Sequence, residues 1–370
     1  MKKTFKYRIK LGKETEDNMN IWLGLCCDLY NTALEQKINL WKKEKKSISY
    51  FDQKKQLPKL KKDFPEFKQV GSQVLQDVII RLDRSYQAFF RRVKKGETPG
   101  FPRFRGKDRY DSFTLTQAGW KFVDEKHMEI KNIGRFRVSL HRPIEGDVKT
   151  VTVKRTFSGK WYILFSCDNV PKRLLPKTNN KIGIDVGCES FLTTSNGEKI
   201  GNPRFLNKSQ ELLCERQRKL SLKKKGSNRR KKAKIMLAKI HEKIYNQRRN
   251  FHFKVALDLV RNNDIICIEK MNSCKTFRSL NRSMRDVAWF AFFDTLNFKA
   301  EEAGRLVVKV PSKITSQMCS QCGELVPKDL RVRTHSCTHC GLIMDRDVNA
   351  AKNILRLGTS LQDLPVLRSP

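Results

Sequence analysis

Lys181-Ile-Gly-Ile-Asp-Val-Gly187 is the stretch on which the reading of this 370-residue chain turns. Ile182 and Ile184 alternate as on a strand with one buried face, which sets Gly183 and Asp185 on the opposite face. Gly187 permits a close turn into a second strand, predicted over 191–194. A carboxylate on a central strand is costly to bury unless it meets a cation or several hydrogen-bond donors. The stretch alone fits more than one fold, because sugar-kinase and actin-like proteins open in a similar way.

Two further acids narrow the choice. Glu269 closes the apolar run in Asp264-Ile-Ile-Cys-Ile-Glu-Lys-Met-Asn272, although a strand-terminal Glu is also an ordinary cap or salt-bridge partner. Asp347 lies in Met344-Asp-Arg-Asp-Val-Asn-Ala-Ala-Lys-Asn-Ile-Leu355, at the start of a helix with Val348, Ala351 and Leu355 as its apolar positions. An acid at a helix N-terminus is also a plain cap, and Asp345 competes for the role. Asp347 is preferred because it stands in Asp-x-Asn-Ala-Ala. A first strand, a later strand and a C-terminal helix are where an RNase H-like fold gathers its acids. Hydrolysis of a phosphodiester by such a set uses two divalent ions about 4 Å apart, one activating water and one steadying the leaving oxygen. Mg²⁺, with Mn²⁺ as its substitute, takes hard oxygen ligands of this kind. Asp185, Glu269 and Asp347 are the candidate catalytic residues and magnesium ligands.

Cys319-Ser-Gln-Cys322 and Cys337-Thr-His-Cys340 repeat one spacing, each followed by a glycine, Gly323 and Gly341. Four thiolates so spaced read as a closed tetrahedral Zn²⁺ site, which has no open position for water and is therefore structural. His335 and His339 are substitute ligands that a full cysteine set does not need. The site is expected to brace the segment before Asp347.

Lys and Arg number 77 against 38 Asp and Glu, a net charge of +39. That imbalance is a footprint for a polyanion. No apolar run approaches the roughly 20 residues of a membrane span, so nucleic acid is the expected partner. Met1-Lys2-Lys3-Thr4 opens without an apolar signal core, which points to no secretory leader and a reducing compartment. Cys26, Cys27, Cys167, Cys188, Cys214, Cys267 and Cys274 then read as buried free thiols.

Two basic segments stand out. Residues 216–249 suggest a helical hairpin whose tip carries Lys223, Lys224, Lys225, Arg229, Arg230, Lys231 and Lys232, candidates for nucleic-acid contact. The Gly- and Pro-broken stretch 96–107 interleaves Phe101 and Phe104 with Arg103, Arg105 and Lys107. This suits base stacking beside phosphate neutralisation, or a loop pinned by two buried phenylalanines.

Before residue 171 the signals are a strand over 4–11, a helix over 15–43 capped by Thr15, a helix over 72–95, and six short strands over 113–115, 120–123, 128–130, 136–140, 148–153 and 161–166. The strands suggest a small antiparallel barrel, completed by the first strand and carrying the two helices as an insertion. The helix over 72–95 bears an apolar stripe of Leu75, Ile79, Leu82, Tyr86, Phe89 and Val93. Residues 171–180 read as a linker, after which strands alternate with helices as in an α/β domain. The fold class expected is multidomain α/β: an RNase H-like (RuvC-type) nuclease domain with a zinc-ribbon insertion, preceded by the small barrel with its helical insertion.

Gly-Phe-Pro-Arg-Phe at 100–104, Gly-Ile-Asp-Val-Gly at 183–187, Ile-Glu-Lys-Met-Asn at 268–272, the paired Cys-x-x-Cys knuckles and Asp-Arg-Asp-Val-Asn-Ala-Ala at 345–351 together resemble TnpB, the RNA-guided nucleases of bacterial and archaeal insertion sequences. The chain is similar also to the compact type V CRISPR effectors. The resemblance spans nearly the whole chain and implies a split RuvC triad at Asp185, Glu269 and Asp347. It implies a wedge barrel over 1–14 and 97–178, a helical recognition domain over 15–96, a nuclease domain over 179–318 and 341–358, a zinc ribbon over 319–340 and a short tail over 359–370. It implies a monomer on one guide RNA, cutting double-stranded target DNA and its separated single strands beside a short motif, in the cytoplasm of a prokaryotic cell and nucleoid-associated when bound. Competing readings are a guided repressor that has lost cleavage, a CRISPR-associated effector, a transposase and a nuclease without a guide. The intact triad opposes the first. Against the transposase, there is no His-apolar-His pair, and His252 stands alone between Phe251 and Phe253.

Overall fold

Phe5, Tyr7 and Ile9 alternate with Lys6, Arg8 and Lys10, and in the computed structural model this alternation makes β1 (Lys3–Lys10) with its apolar side buried. The structure describes residues 1–270, 284, 286–311, 315–329 and 332–363, which fall into two units, 1–171 and 172–370. Met271, Asn272 and Cys274 of the sequence expectations, and the tail beyond 363, lie outside the described residues.

In the first unit β1 is central. It pairs antiparallel with β5 (Gly134–Ser139) and β7 (Trp161–Asp168). Outward lie β6 (Asp147–Arg155) and β2 (Ser112–Leu115) on one side, and β4 (His127–Ile130) and β3 (Trp120–Phe122) on the other. The sheet curls until Phe122 of β3 stacks on Phe165 of β7, ring centroids 5.8 Å apart. Among the described residues no ladder joins the edges β2 and β3, so the expected barrel is a nearly closed sheet instead. These edge strands have four and three residues, too short to close the seam.

Between β1 and β2 the chain makes α1 (Lys13–Glu44), α2 (Tyr50–Lys55), α3 (Leu57–Asp63) and α4 (Ser72–Lys94). The cap of α1 is Gly12, not Thr15 as expected. Thr15 is buried within the first turn, its hydroxyl 3.4 Å from the Arg135 carbonyl. Met19, Trp22, Cys26 and Ala33 of α1 face Leu75, Ile79 and Leu82 of α4 and the sheet in one core, where Trp22 meets Phe113 at 5.3 Å. Side chains of this size contribute about 1.5–3 kcal/mol each on burial. The α4 stripe then surfaces: Tyr86 and Phe89 are half-buried and Val93 is exposed.

In the second unit the sheet order is β10 (Lys199–Gly201), β9 (Ser190–Thr194), β8 (Lys181–Val186), β11 (Ile265–Glu269), β12 (Leu306–Val310). The first three form an antiparallel meander, and β11 and β12 run parallel to β8. Parallel neighbours need crossovers. These contain α5 (Phe205–Lys208), α6 (Gln210–Ser221) and α7 (Asn228–Asn262) before β11, and α8 (Trp289–Ala303) before β12. Ile182, Ile184, Ile266 and Ile268 bury one face against Val255 and Leu259 of α7 and Phe292 and Leu296 of α8.

The other face receives α9 (Arg346–Asp363). The approach is closer than any side chain on Gly183 would allow: a Cβ there would overlap the Ala351 carbonyl oxygen and lie 2.7 Å from the Leu355 nitrogen. Gly358 makes the second contact, where a Cβ would come 2.7 Å from Cβ of Cys267. Ahead of α9, β13 (Thr334–Ser336) and β14 (Ile343–Asp345) form a small hairpin.

Candidate active site and metal centre

Strand register places the first two acids. Ile184 of β8 stands opposite Ile268 of β11 in a parallel ladder, so Asp185 and Glu269, each one residue on, leave neighbouring strands at the same level. Both alternate with buried isoleucines and point to the face that carries α9. They lie at or next to the carboxyl ends of their strands, where open α/β sheets place their ligands. Asp347, the third candidate, lies one helical turn before the Ala351 crossing at Gly183.

The Asp185 carboxyl feels the charge of both other candidates. Burial, then the charges of Glu269 and Asp347, push the Asp185 carboxyl up to about 8, against an opposing hydrogen bond from the Val186 N–H. Burial also raises Glu269, although the Thr315 hydroxyl donates to its Oε1 at 3.3 Å. A site that penalises negative charge until a cation arrives suits divalent metal. Asp347 is held by Arg346, Nη2 to Oδ1 3.1 Å, and faces Arg333 at 3.8 Å, whose other arm reaches Glu189 at 2.8 Å.

Asp345, the competitor of Asp347, has hydrogen-bond partners of its own. Asp345 Oδ1 accepts from the N–H groups of Asp347 and Val348 at 3.0 and 3.2 Å and so caps α9, while its Oδ2 takes the Lys199 ammonium at 2.6 Å. Capping occupies Asp345, whereas Asp347 is met by the two arginines.

Among the described residues, the ligand atoms of Cys319, Cys322, Cys337 and Cys340 lie within 4.8 Å of one another. Sulfurs bound at about 2.3 Å to one tetrahedral zinc stand about 3.8 Å apart. The pairs Cys319–Cys340 and Cys322–Cys337 are each 3.6 Å apart, so the donor set fits. Burial opposes ionisation of Cys319, but N–H groups of Cys322 and Gln321 and the His335 ring bring its thiol down to about 5. His335 is thus a neighbour of the sulfurs, fully buried.

Sequence reasoning passed over Asn349 and Asn353. Both are fully buried on α9. Asn349 donates to the Met318 carbonyl at 2.7 Å and accepts from the Ser320 N–H at 2.9 Å. Asn353 donates to the carbonyls of Thr315 and Met318 at 2.9 and 2.7 Å. The signal was two asparagines flanking the apolar positions of one helix.

The basic candidates are exposed, with one qualification. At the hairpin tip Lys223, Lys224, Lys225, Arg229, Lys231 and Lys232 face solvent. Arg230 instead donates to the Leu220 and Lys223 carbonyls, both at 2.8 Å, and closes the turn between α6 and α7. In the other segment Arg103, Arg105 and Lys107 are exposed, as are Phe101 and Phe104, at 47% and 56%. A loop pinned by two buried phenylalanines is therefore ruled out. The loop is held instead by Asn31, whose side chain bonds both the N–H and the C=O of Arg105 at 2.7 and 2.8 Å, and by Phe101 set edge-on against Tyr86 and Phe89. Of the other cysteines, Cys26, Cys27, Cys167 and Cys267 are buried as expected, but Cys188 is half-buried and Cys214 is exposed on α6. Among the described residues, no helix is long and apolar enough to cross a membrane.

A relative in Streptomyces pristinaespiralis, assigned by name as an RNA-guided DNA endonuclease, is 31% identical over 97% of this chain and 90% of its own length. The chain belongs to the TnpB family. A second relative, InsQ of Escherichia coli K12, also assigned as an RNA-guided DNA endonuclease, is 29% identical over 96% of this TnpB-family chain and 92% of its own length. Family models match at residues 1–46 ("Helix-turn-helix domain"), 165–279 ("Probable transposase") and 289–354 ("Cas12f1-like, TNB domain"). In this TnpB-family structure, residues 1–46 are a strand and one long helix. The fold is shared with the mini-RNA-guided endonuclease CRISPR-Cas_phi3, at a TM-score of 0.52 and 10% identity over 97% of this chain and 92% of that one.

Proposed function

We propose that this protein is a transposon-encoded, RNA-guided DNA endonuclease that cuts at one RuvC-like site formed by Asp185, Glu269 and Asp347. The observation that supports the reading most is the register of the strands: Asp185 and Glu269 leave neighbouring parallel strands at the same level, and the helix that carries Asp347 is laid over Gly183. The strand order, an antiparallel meander followed by two strands parallel to its first, supports the reading as an RNase H-like sheet. Two Mg²⁺ or Mn²⁺ ions held there would activate water and stabilise the leaving oxygen. The residues themselves bring the negative charge that fixes such ions and, through Arg346 and Arg333, the positive charge that keeps Asp347 in place. The four cysteines hold a structural Zn²⁺.

The rest of the chain supports guided targeting. Residues 1–14 and 97–178 act as a wedge, 15–96 as the recognition helices, 179–318 and 341–358 as the nuclease, 319–340 as the zinc ribbon, and 359–370 as a tail. Exposed lysines and arginines of the 223–232 tip and of 103–107 meet guide RNA and target DNA. One protein on one RNA, in a prokaryotic cytoplasm and on the nucleoid when bound, is the working unit.

The test is to purify the protein from cells carrying its native flanking DNA, sequence the RNA that accompanies it, and assay that complex on matched duplex. One discrete RNA and Mg²⁺-dependent cutting, lost in Asp185→Ala with RNA still bound, is expected. Cutting by Asp185→Ala would overturn the triad, and heterogeneous RNA would overturn the guide.

A further inference from the structure

The bonds around α9 reach further than its own acid. Thr315 is 4% exposed, and its hydroxyl donates to Glu269 Oε1 at 3.3 Å. Its carbonyl is held at 2.9 Å by Asn353, which also holds Met318, the residue before Cys319. Asn349 fixes the next step, Met318 O and Ser320 N–H. Among the described residues, the buried Oδ1 of Asn353 has no partner, a cost borne where the other end of the amide is needed. The same helix carries Asp347. One backbone segment, 315–320, therefore joins the first zinc-knuckle cysteine to the Glu269 carboxylate, and two asparagines on α9 clamp it.

We propose that this segment is a positioning strap: the cysteine centre, through Asn349, Asn353 and Thr315, sets the Glu269 carboxylate relative to Asp347, and Thr315 is a positioning residue of the nuclease site. The inference rests on the triad reading above. Glu269 is the last residue of β11; pairing with β8 stops at Ile268 and pairing with β12 reaches Val310, which fixes the Glu269 backbone but not its side-chain torsions. A hydroxyl fixed in a buried segment removes that freedom. It aims one carboxylate oxygen and leaves the other for metal. The cysteine centre thus contributes to catalysis at a distance, by geometry, while holding no substrate. Partners that orient ligands in this way typically change metal affinity or activity 10–100-fold when removed.

The test compares Thr315→Val, which keeps the branched shape and removes the donor, with Thr315→Ser, which keeps the donor. Each protein is purified with its RNA, and three quantities are read: Mn²⁺ binding by electron paramagnetic resonance, single-turnover cleavage of matched duplex against Mn²⁺ concentration, and zinc content with melting temperature. Thr315→Val is expected to bind Mn²⁺ about tenfold more weakly and to need correspondingly more for cutting, with zinc and melting unchanged. Thr315→Ser should return to within about twofold of the parent, and Asn353→Leu should reproduce the Mn²⁺ defect. Parent-like Mn²⁺ affinity in Thr315→Val would overturn the strap, and so would equal defects in Val and Ser, since packing would then be the cause. Asp185→Ala run alongside separates the two readings: if it still cuts, the triad fails; if it is inactive while Thr315→Val is normal, only the strap fails.

Discussion

Replacing Gly183 by alanine tests the close crossing of β8 by α9, the helix that carries Asp347. The added methyl would overlap the Ala351 carbonyl oxygen, lie 2.7 Å from the Leu355 nitrogen and 2.8 Å from its Cβ. Carbon atoms rest at about 3.5 Å or more, so α9 must lift by at least about 0.7 Å where it crosses β8. Backbone on both sides of the clash leaves no flexible side chain to give way. Overpacking of this kind costs about 1–3 kcal/mol, or roughly 2–12 °C in melting temperature for a unit of this size. Asp347 sits one turn from the crossing and moves with the helix. A misplacement near 1 Å costs about 100-fold in rate, so single-turnover cleavage should fall about 10- to 100-fold while RNA binding stays intact. Gly358→Ala is the comparison: its methyl meets Cys267 with similar severity, but about three turns from Asp347. It should lower melting as much and cleavage far less. Wild-type melting and cutting in Gly183→Ala would refute the close crossing. Lowered melting with wild-type cutting would refute its link to Asp347.

Cys319→Ser should release zinc, measured by a chromogenic chelator, and lower the melting temperature; unchanged zinc and melting would overturn the structural-zinc assignment. His252 is buried beside Phe191 and Phe292, with Nε2 3.0 Å from the Val287 carbonyl, and burial lowers its pKa to about 4 from 6.5. The unfolded chain takes that proton first, so the stability contribution is complete above about pH 6.5 and is lost as pH falls toward 4, by at most about 3 kcal/mol. His252→Leu should flatten that acid limb in melts from pH 4 to 7, and an unaltered limb would refute the account. Changing Lys223, Lys224, Lys225, Arg229, Lys231 and Lys232 to Gln, with Arg230 kept to hold the turn, should weaken RNA binding. The salt dependence should become shallower by about 0.7 for each phosphate that the protein no longer neutralises, and an identical slope would remove the tip from the interface.

Where a property depends on residues near in sequence, it was legible. The alternation over 181–187 and 4–11 and the spacing of the four cysteines led to strands and a knuckle because period and spacing are local. The choice of Asp185, Glu269 and Asp347 as candidates came through the motifs as well as the pattern, since no local signal states that β11 pairs with β8 in a register one residue short of the first two acids. What escaped depends on distant partners. Thr15 looks like a cap until the Arg135 carbonyl is seen beside it, and Gly12 is where the helix starts. Phe101 and Phe104 had two readings because burial of a loop aromatic is decided by what packs over it, and both stand exposed. Whether the sheet closes depends on the lengths of β2 and β3. Asn349 and Asn353 resemble solvent-facing polar residues until their backbone partners, some 30 residues earlier, are in place.

The position of β1 governs how this protein must be made. Its ladder partners on either side lie far downstream, with Lys3 opposite Cys167 and Lys10 opposite Arg137. At about 5–20 residues per second, a ribosome takes roughly 8–30 s to bring the second partner out. Through that interval the strand has two open edges and an apolar side, the features that recruit neighbouring chains into aggregates. Lys6, Arg8 and Lys10, set between Phe5, Tyr7 and Ile9, place like charges along every copy. Nascent chains therefore repel one another where they are stickiest. The basic face that suits a polyanion in the finished protein also acts as a gatekeeper during its synthesis, and a neutral version of this strand would be expected to express poorly before any effect on binding could be measured.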